Sequence, residues 1–214
     1  MSSIVVHHLG ISQSDRIVWL CEELGLDYEL RTYQRDSRTR LAPAEYRALT
    51  PFGTAPVITD GDLVLGESGA IIEYLIEVHG EGRLRVAPGE PGYADYLFWF
   101  HFANGSLMPA AMVDMVAGLL KDGDGGVVGA LRERLDRAYE QIEERLSGVD
   151  YLAGDSFTAA DIISAFPLTT MRVFAPRDLS PYPNIRAYLL RIGERAAFRR
   201  AMAKADPGFE VPLF

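Results

Sequence analysis

The chain has 214 residues, 48% hydrophobic and 24% charged, which is enough apolar side chain for one sizeable core or two small ones. With 30 acidic against 21 basic residues the formal charge is −9, which repels a phosphate backbone and excludes nucleic acid as a partner class. The lone Cys21 cannot form an internal disulfide, and one Cys with four His supplies no closed zinc-ligand set, so a reducing, cytoplasmic setting without metal is expected. No basic segment precedes an apolar one at the start, and every apolar stretch is interrupted before the roughly 18 residues that suggest a membrane span, so a soluble protein is expected.

Residues 4–8 are β-branched and short, which predicts a strand. A helix follows over residues 15–24, with Ile17, Leu20, Cys21 and Leu24 on one face and Gly25 placed to end it in a left-handed conformation. Residues 28–33 alternate like a second strand, and residues 35–46, broken by Pro43, read as loop plus short helix. Two apolar runs, residues 57–59 and 63–65, flank Asp60-Gly61-Asp62, which predicts a hairpin. Residues 70–78 carry Ile71, Ile72, Leu75 and Val78 at helical spacing, with Ser68 as candidate N-cap.

Beyond a Gly- and Pro-rich stretch the pattern is helical throughout, over residues 93–120, 127–146, 158–171 and 185–205. Pro109, the Gly-rich residues 122–126 and Pro181-Tyr182-Pro183 are the expected breaks. The predicted organisation is therefore a βαβ-ββα domain over residues 1–80, a linker over 81–92, and an all-α domain over 93–214.

Several motifs stand on this frame. Ser12 lies four residues before Arg16 at the start of the first helix, Pro56 ends the run Pro51-Phe52-Gly53-Thr54-Ala55-Pro56, and Glu67-Ser68 opens a helix. Phe157-Thr158-Ala159-Ala160-Asp161-Ile162 has the form of a capping box with staple residues. Segments around Trp99 to Pro109 and Tyr182 to Tyr188 complete the set. Their joint order and spacing, over nearly the whole chain, resembles the cytosolic glutathione S-transferase superfamily, in particular its serine-type bacterial and fungal classes.

The resemblance implies a thioredoxin-like N-terminal domain, glutathione as co-substrate with no further cofactor, a small hydrophobic electrophile as second substrate, a detoxification role, and a homodimer. Ser12 would stabilise the glutathione thiolate, whose parent thiol titrates near about 8.5 when free, by donating a hydrogen bond beside a helix N-terminus. The alternative is that Ser12 merely caps the helix with Asp15 as its box partner, and Ser14 is the runner-up for the sulfur. No His and Asp are expected to complete a nucleophile triad, because Ser12 would form no covalent adduct.

The backbone of Ala55, before a cis Pro56 and leading into Val57, would pair with the cysteinyl unit through free N–H and C=O groups. Glu67 would receive the γ-glutamyl ammonium and Ser68 its carboxylate; the alternatives are a solvated Glu67 and a Ser68 that only caps. Arg40, ahead of Arg38 and Arg35, would hold the glycyl carboxylate, Thr54 standing where relatives carry a cation. The electrophile pocket, or a partner-subunit contact, is assigned to His101, Phe102, Asn104 and Met108, with core packing as the competing role. Cys21 reads as a small buried hydrophobe. Two other functions remain open from sequence: glutathione-dependent disulfide reduction or peroxidase activity, and a non-catalytic scaffold.

Overall fold

The β-branched Ile4, Val5 and Val6, followed by His7, His8 and Leu9, form the central strand β1 (Ile4–Leu9), as seen in a computed structural model that describes residues 4–120 and 126–214. The expected Gly-rich break falls largely on residues 122–125, which lie outside the described residues. β1 runs parallel to β2 (Tyr28–Tyr33), with Ile4 opposite Tyr28 and Leu9 opposite Tyr33. A parallel pair needs a crossover, and α1 (Asp15–Leu24) supplies it. On its other side β1 pairs antiparallel with β3 (Val57–Asp60), which pairs with β4 (Leu63–Gly66), giving the order β2-β1-β3-β4.

The predicted helix face of α1 is the buried one: Ile17, Leu20 and Cys21 are fully enclosed and Leu24 nearly so. Gly25 is left-handed and returns its N–H to the Cys21 carbonyl. A short α2 (Ala44–Arg47) follows Pro43 and places Tyr46 beside Leu9 and Val57, where its hydroxyl donates to the His7 carbonyl at 3.2 Å. α3 (Ser68–Val78) buries Ile71, Ile72, Leu75 and Ile76. In the hairpin Asp60 pairs with Leu63, so the turn is Gly61-Asp62, and Gly61 takes the positive φ of 58° at its first position.

The chain divides into two compact units, and the division differs from that expected. The first holds residues 1–84 together with 194–211; the second holds 85–193 and 212–214. The C-terminal α9 (Ala196–Ala205) thus belongs with the sheet and not with the helices before it. The reason is complementarity with α1. Phe198 meets Trp19 edge-on at 5.0 Å, Arg195 pairs with Glu23, and Arg200 and Lys204 both reach Glu22, at 2.9 and 2.6 Å. Residues 185–205 look continuous by periodicity, but Arg195 is extended (φ −66°, ψ 125°) and separates α8 (Pro183–Glu194) from α9.

In the second unit, α4 (Tyr93–Phe102) passes through a π-helical turn, Ala103–Leu107, directly into α5 (Met108–Leu120). Pro109 is therefore no break: it sits in the first turn of α5, and the wider turn before it absorbs the amide bond that proline cannot make. α6 (Gly126–Leu146) and α7 (Ala159–Leu168) follow, the latter buried along its whole length. The capping box is formed as expected, with Thr158 Oγ1 accepting from the Ala160 amide and Asp161 Oδ2 from the Thr158 amide at 2.8 Å.

Candidate functional site

The turn between β1 and α1 carries the first group of site residues. Ile11 has φ +46°, an unfavourable conformation for a β-branched residue, and its amide is held by Asp206 Oδ1 at 3.0 Å. Ser12 is 4% exposed, and its Oγ lies 2.8 Å from Ser14 Oγ and accepts the Ser14 amide at 3.3 Å. Ser14 Oγ in turn accepts the Leu9 amide at 3.1 Å and lies 2.9 Å from Nδ1 of the fully buried His8. His8 Nε2 is 3.1 Å from Asp206 Oδ2. A His and an Asp therefore stand behind Ser12 but one serine removed, with Ser14 and not Ser12 bonded to the imidazole. Ser12 does not cap α1 either: the cap position belongs to Ser14, and neither hydroxyl makes a capping bond.

Gln13 joins this turn to two other segments. Its Nε2 donates to the Ala55 carbonyl at 2.9 Å, and its Oε1 receives Arg16 Nη2 and, at 3.5 Å, the Ser68 hydroxyl. The Ala55–Pro56 bond is cis and Pro56 and Val57 are buried, but the Ala55 carbonyl already has a partner within the chain and is not free as expected. Glu67 and not Ser68 occupies the N-cap position of α3, at φ 68° and ψ 119°, with its side chain exposed; Ser68 is 3% exposed and makes no cap bond. Burial lowers the Arg16 guanidinium to about 10, while Asp15 and Glu67 act in the opposite direction, so it remains a cation at neutral pH behind the Glu67-Ser68 corner.

The three candidate arginines separate clearly. Arg35 is engaged with the main chain, donating to the Gly10 and Arg40 carbonyls at 3.2 Å each, and burial lowers its pKa. Arg40 has φ 62° and an exposed side chain that makes no hydrogen bond or ion pair among the described residues. Both line a cavity of about 270 Å³ with Gly10, Ile11, Asp206 and Phe209, which Arg38 does not reach.

In the second unit, His101 is exposed and Phe102, Asn104 and Met108 are half-buried. Of these four only Phe102 lines the cavity of about 340 Å³ formed with Pro109, Val113, Leu131 and Ala138. Asn104 lies in the π-helical turn. Cys21 is fully enclosed and burial pushes its thiol up to about 12, as suits a core residue. Among the described residues no cluster of three His, Cys, Asp or Glu side chains could hold a metal, and no helix is long and apolar enough to cross a membrane.

Sequence reasoning missed Gln13, His8 and Asp206. Gln13 and His8 were within the active-turn motif and its strand, and the signal was their adjacency to Ser12; nothing local marks Asp206, 198 residues from His8.

A small mixed sheet with a cis-proline loop, joined to helices, defines a thioredoxin-like thiol-binding domain with a helical companion. Residues 12–78 match the family model for the glutathione S-transferase N-terminal domain, and residues 107–196 match that for the C-terminal domain. The chain is 33% identical to glutathione S-transferase 3 of Schizosaccharomyces pombe, over 95% of this chain and 88% of that one. It is 27% identical to the glutathione S-transferase GstB of Escherichia coli, covering 87% and 91%. A crystal structure of a glutathione S-transferase from Actinobacillus pleuropneumoniae superposes with a TM-score of 0.86 at 35% identity, covering 96% of this chain and 94% of that one. The chain belongs to the cytosolic glutathione S-transferase superfamily, and it is a transferase with glutathione as co-substrate.

Proposed function

We propose that the protein conjugates glutathione to small apolar electrophiles through a thiolate stabilised by Ser12. The observation that carries this reading is the convergence on Gln13: one side chain ties the Ser12 turn, the Ala55–Pro56 loop and the Ser68 helix start together. Three motifs far apart in sequence thereby form one surface suited to a γ-linked tripeptide. Glu67 and the opening amides of α3 with Ser68 take the γ-glutamyl zwitterion, the backbone of Ala55, Pro56 and Val57, apart from the Ala55 carbonyl that Gln13 holds, takes the cysteinyl unit, and Arg40, whose side chain has no partner among the described residues, takes the glycyl carboxylate.

Ser12 then supplies the hydrogen bond that favours the ionised sulfur, and no covalent enzyme adduct is involved. Route through an enzyme thiol is disfavoured by the enclosure of Cys21. His101, Phe102, Asn104 and Met108 are assigned to the electrophile or to a second copy. Exposed Leu63 and Val64 in the first unit, and Leu97 and Phe98 in the second, favour a homodimer, which sedimentation would test. The reading also places the protein in cytoplasmic detoxification.

The deciding experiment compares wild type with Ser12→Ala. Glutathione affinity is measured by calorimetry and bound thiolate by its ultraviolet absorbance, with turnover of a chloronitrobenzene and of a hydroxyethyl disulfide in parallel. Loss of thiolate at retained affinity supports the serine role; an unchanged thiol pKa removes it. Absence of glutathione binding by the wild type would favour a scaffold, and turnover of the disulfide alone would favour a reductase.

A further inference from the structure

Four side chains, Ser12, Ser14, His8 and Asp206, form one file of polar atoms leading from the turn into the first unit, with main-chain groups as its only side branches among the described residues: Ser12 Oγ to Ser14 Oγ at 2.8 Å, Ser14 Oγ to His8 Nδ1 at 2.9 Å, His8 Nε2 to Asp206 Oδ2 at 3.1 Å. His8 and the two serines are buried, and the Asp206 side chain is 15% exposed. Simple counting of protons fixes how such a file works. Each hydroxyl owns one proton, an ionised carboxylate only accepts, and an imidazole has a donor at each protonated nitrogen.

Consider His8 neutral with its proton on Nε2, facing the carboxylate. Its bare Nδ1 can only accept, so the 2.9 Å contact requires the Ser14 hydroxyl to donate to it, and not to Ser12 Oγ at 2.8 Å or to the Leu9 carbonyl at 3.5 Å. Ser14 has none left for Ser12, so the 2.8 Å contact requires Ser12 to donate inward; one of its lone pairs accepts the Ser14 amide at 3.3 Å and the other faces a ligand. With a proton on Nδ1 the direction reverses: Ser14 accepts from His8 and from the Leu9 amide, donates to Ser12, and Ser12 turns its own proton outward.

The first arrangement is ready to receive an S–H proton, and the second is the one that stabilises a thiolate. We propose that this file is the proton acceptor for glutathione. The thiol S–H bond breaks and an O–H bond forms at Ser12; the former Ser12 proton passes to Ser14, and the former Ser14 proton forms an N–H bond at His8 Nδ1. The sulfur keeps the electron pair, and the products are a thiolate facing a Ser12 donor and an imidazolium paired with Asp206. The inference rests on the assignment of Ser12 to the sulfur.

His8 and Asp206 act through the serines, so they are positioning residues that also store the proton. Asp206 has a second task, since its other oxygen holds the strained Ile11 amide at 3.0 Å, and it faces Arg35 across the cavity beside the turn. Neither of these contacts competes for Oδ2, which stays with His8.

The test counts protons. Glutathione is added to the wild-type protein in weak buffer, bound thiolate is read by ultraviolet absorbance, and released protons are read by a pH indicator. A stored proton appears as a deficit approaching one proton per thiolate, together with a change of the His8 ring nitrogens to the imidazolium pattern in NMR. His8→Gln should release one proton per thiolate formed and lose about 10²-fold in kcat, the scale of general acid–base assistance. Asp206→Asn, which keeps the side-chain shape, should shrink the deficit if His8→Gln fails to fold. One-for-one release by the wild type with His8 unchanged overturns the relay. If Ser12→Ala still holds a thiolate, the serine assignment falls and the relay with it; if Ser12→Ala loses the thiolate while the wild type shows no deficit, only the relay falls.

Discussion

Arg195 grips Glu23 with both Nε and Nη2, at 2.7 and 2.8 Å, and the Glu23 carboxylate also receives the Trp19 indole N–H at 2.9 Å. With side chains 26% and 9% exposed, this two-pronged pair is shielded enough to matter where most surface pairs do not. Arg195→Ala and Glu23→Ala should each lower the unfolding free energy by about 1 to 2 kcal/mol, and the double variant should fall short of the sum by about 1 kcal/mol. Urea unfolding of the four proteins provides the measurement.

Asp161 accepts from four donors: the Leu152 amide and Tyr188 hydroxyl on one oxygen, and the Thr158 amide and hydroxyl on the other. Complete burial nevertheless pushes its carboxyl up to about 6, the hydrogen bonds opposing the shift. A carboxyl that binds its proton more tightly when folded adds stability that is fully present below the unfolded value and is lost as pH rises through about 6. The stability of wild type relative to Asp161→Asn should therefore fall by about 1 to 3 kcal/mol between acid and neutral pH, measured by denaturant unfolding across that range. Asp161→Ala should cost about 3 to 5 kcal/mol at neutral pH, more than a helix cap alone, because the remaining donors are left buried.

Glu67 stores backbone strain at φ 68°, in a region that suits glycine. Glu67→Gly should raise the unfolding free energy by about 1 kcal/mol while increasing the glutathione KM about 10-fold, whereas Glu67→Gln should change KM alone. Thermal unfolding with steady-state kinetics separates the two effects; a loss of stability in the glycine variant would contradict the strain argument.

Arg40→Ala should raise the glutathione KM about 10-fold with little change in kcat, the mark of a uniform binding contact. Arg38→Ala should leave both unchanged, as Arg38 lies outside the cavity that Arg40 lines. Arg35→Ala should instead lower stability, since its donors support the Gly10 and Arg40 carbonyls.

Periodicity located most elements because each buries one continuous face: α1 and β2 have the predicted bounds, and Ile71, Ile72 and Leu75 line α3 as expected. It failed where the deciding interaction is non-local. The separation of α9 from α8 depends on Glu22, Glu23 and Trp19, far away in the chain, and residues 185–205 carry no local sign of it. Pro109 misled for a related reason, as proline is tolerated in a first helical turn and the preceding π-helical turn is not written in spacing. At the candidate site, the residues next to one another in motifs were legible. Asp206 was not, and the function of Gln13 as a tie emerged only from its partners.

The docking of α9 on α1 has a consequence for biosynthesis. Translation delivers the β1–α1 turn first, but Asp206, which holds the Ile11 amide and the His8 ring, follows 198 residues behind His8. A nascent chain that has completed its sheet still lacks a support for that turn. A ribosome-stalled or proteolytically shortened product ending before α9 would carry every recognisable glutathione motif and yet present an unsupported Ser12, so ligand competence waits until α9 and Asp206 have been made and docked.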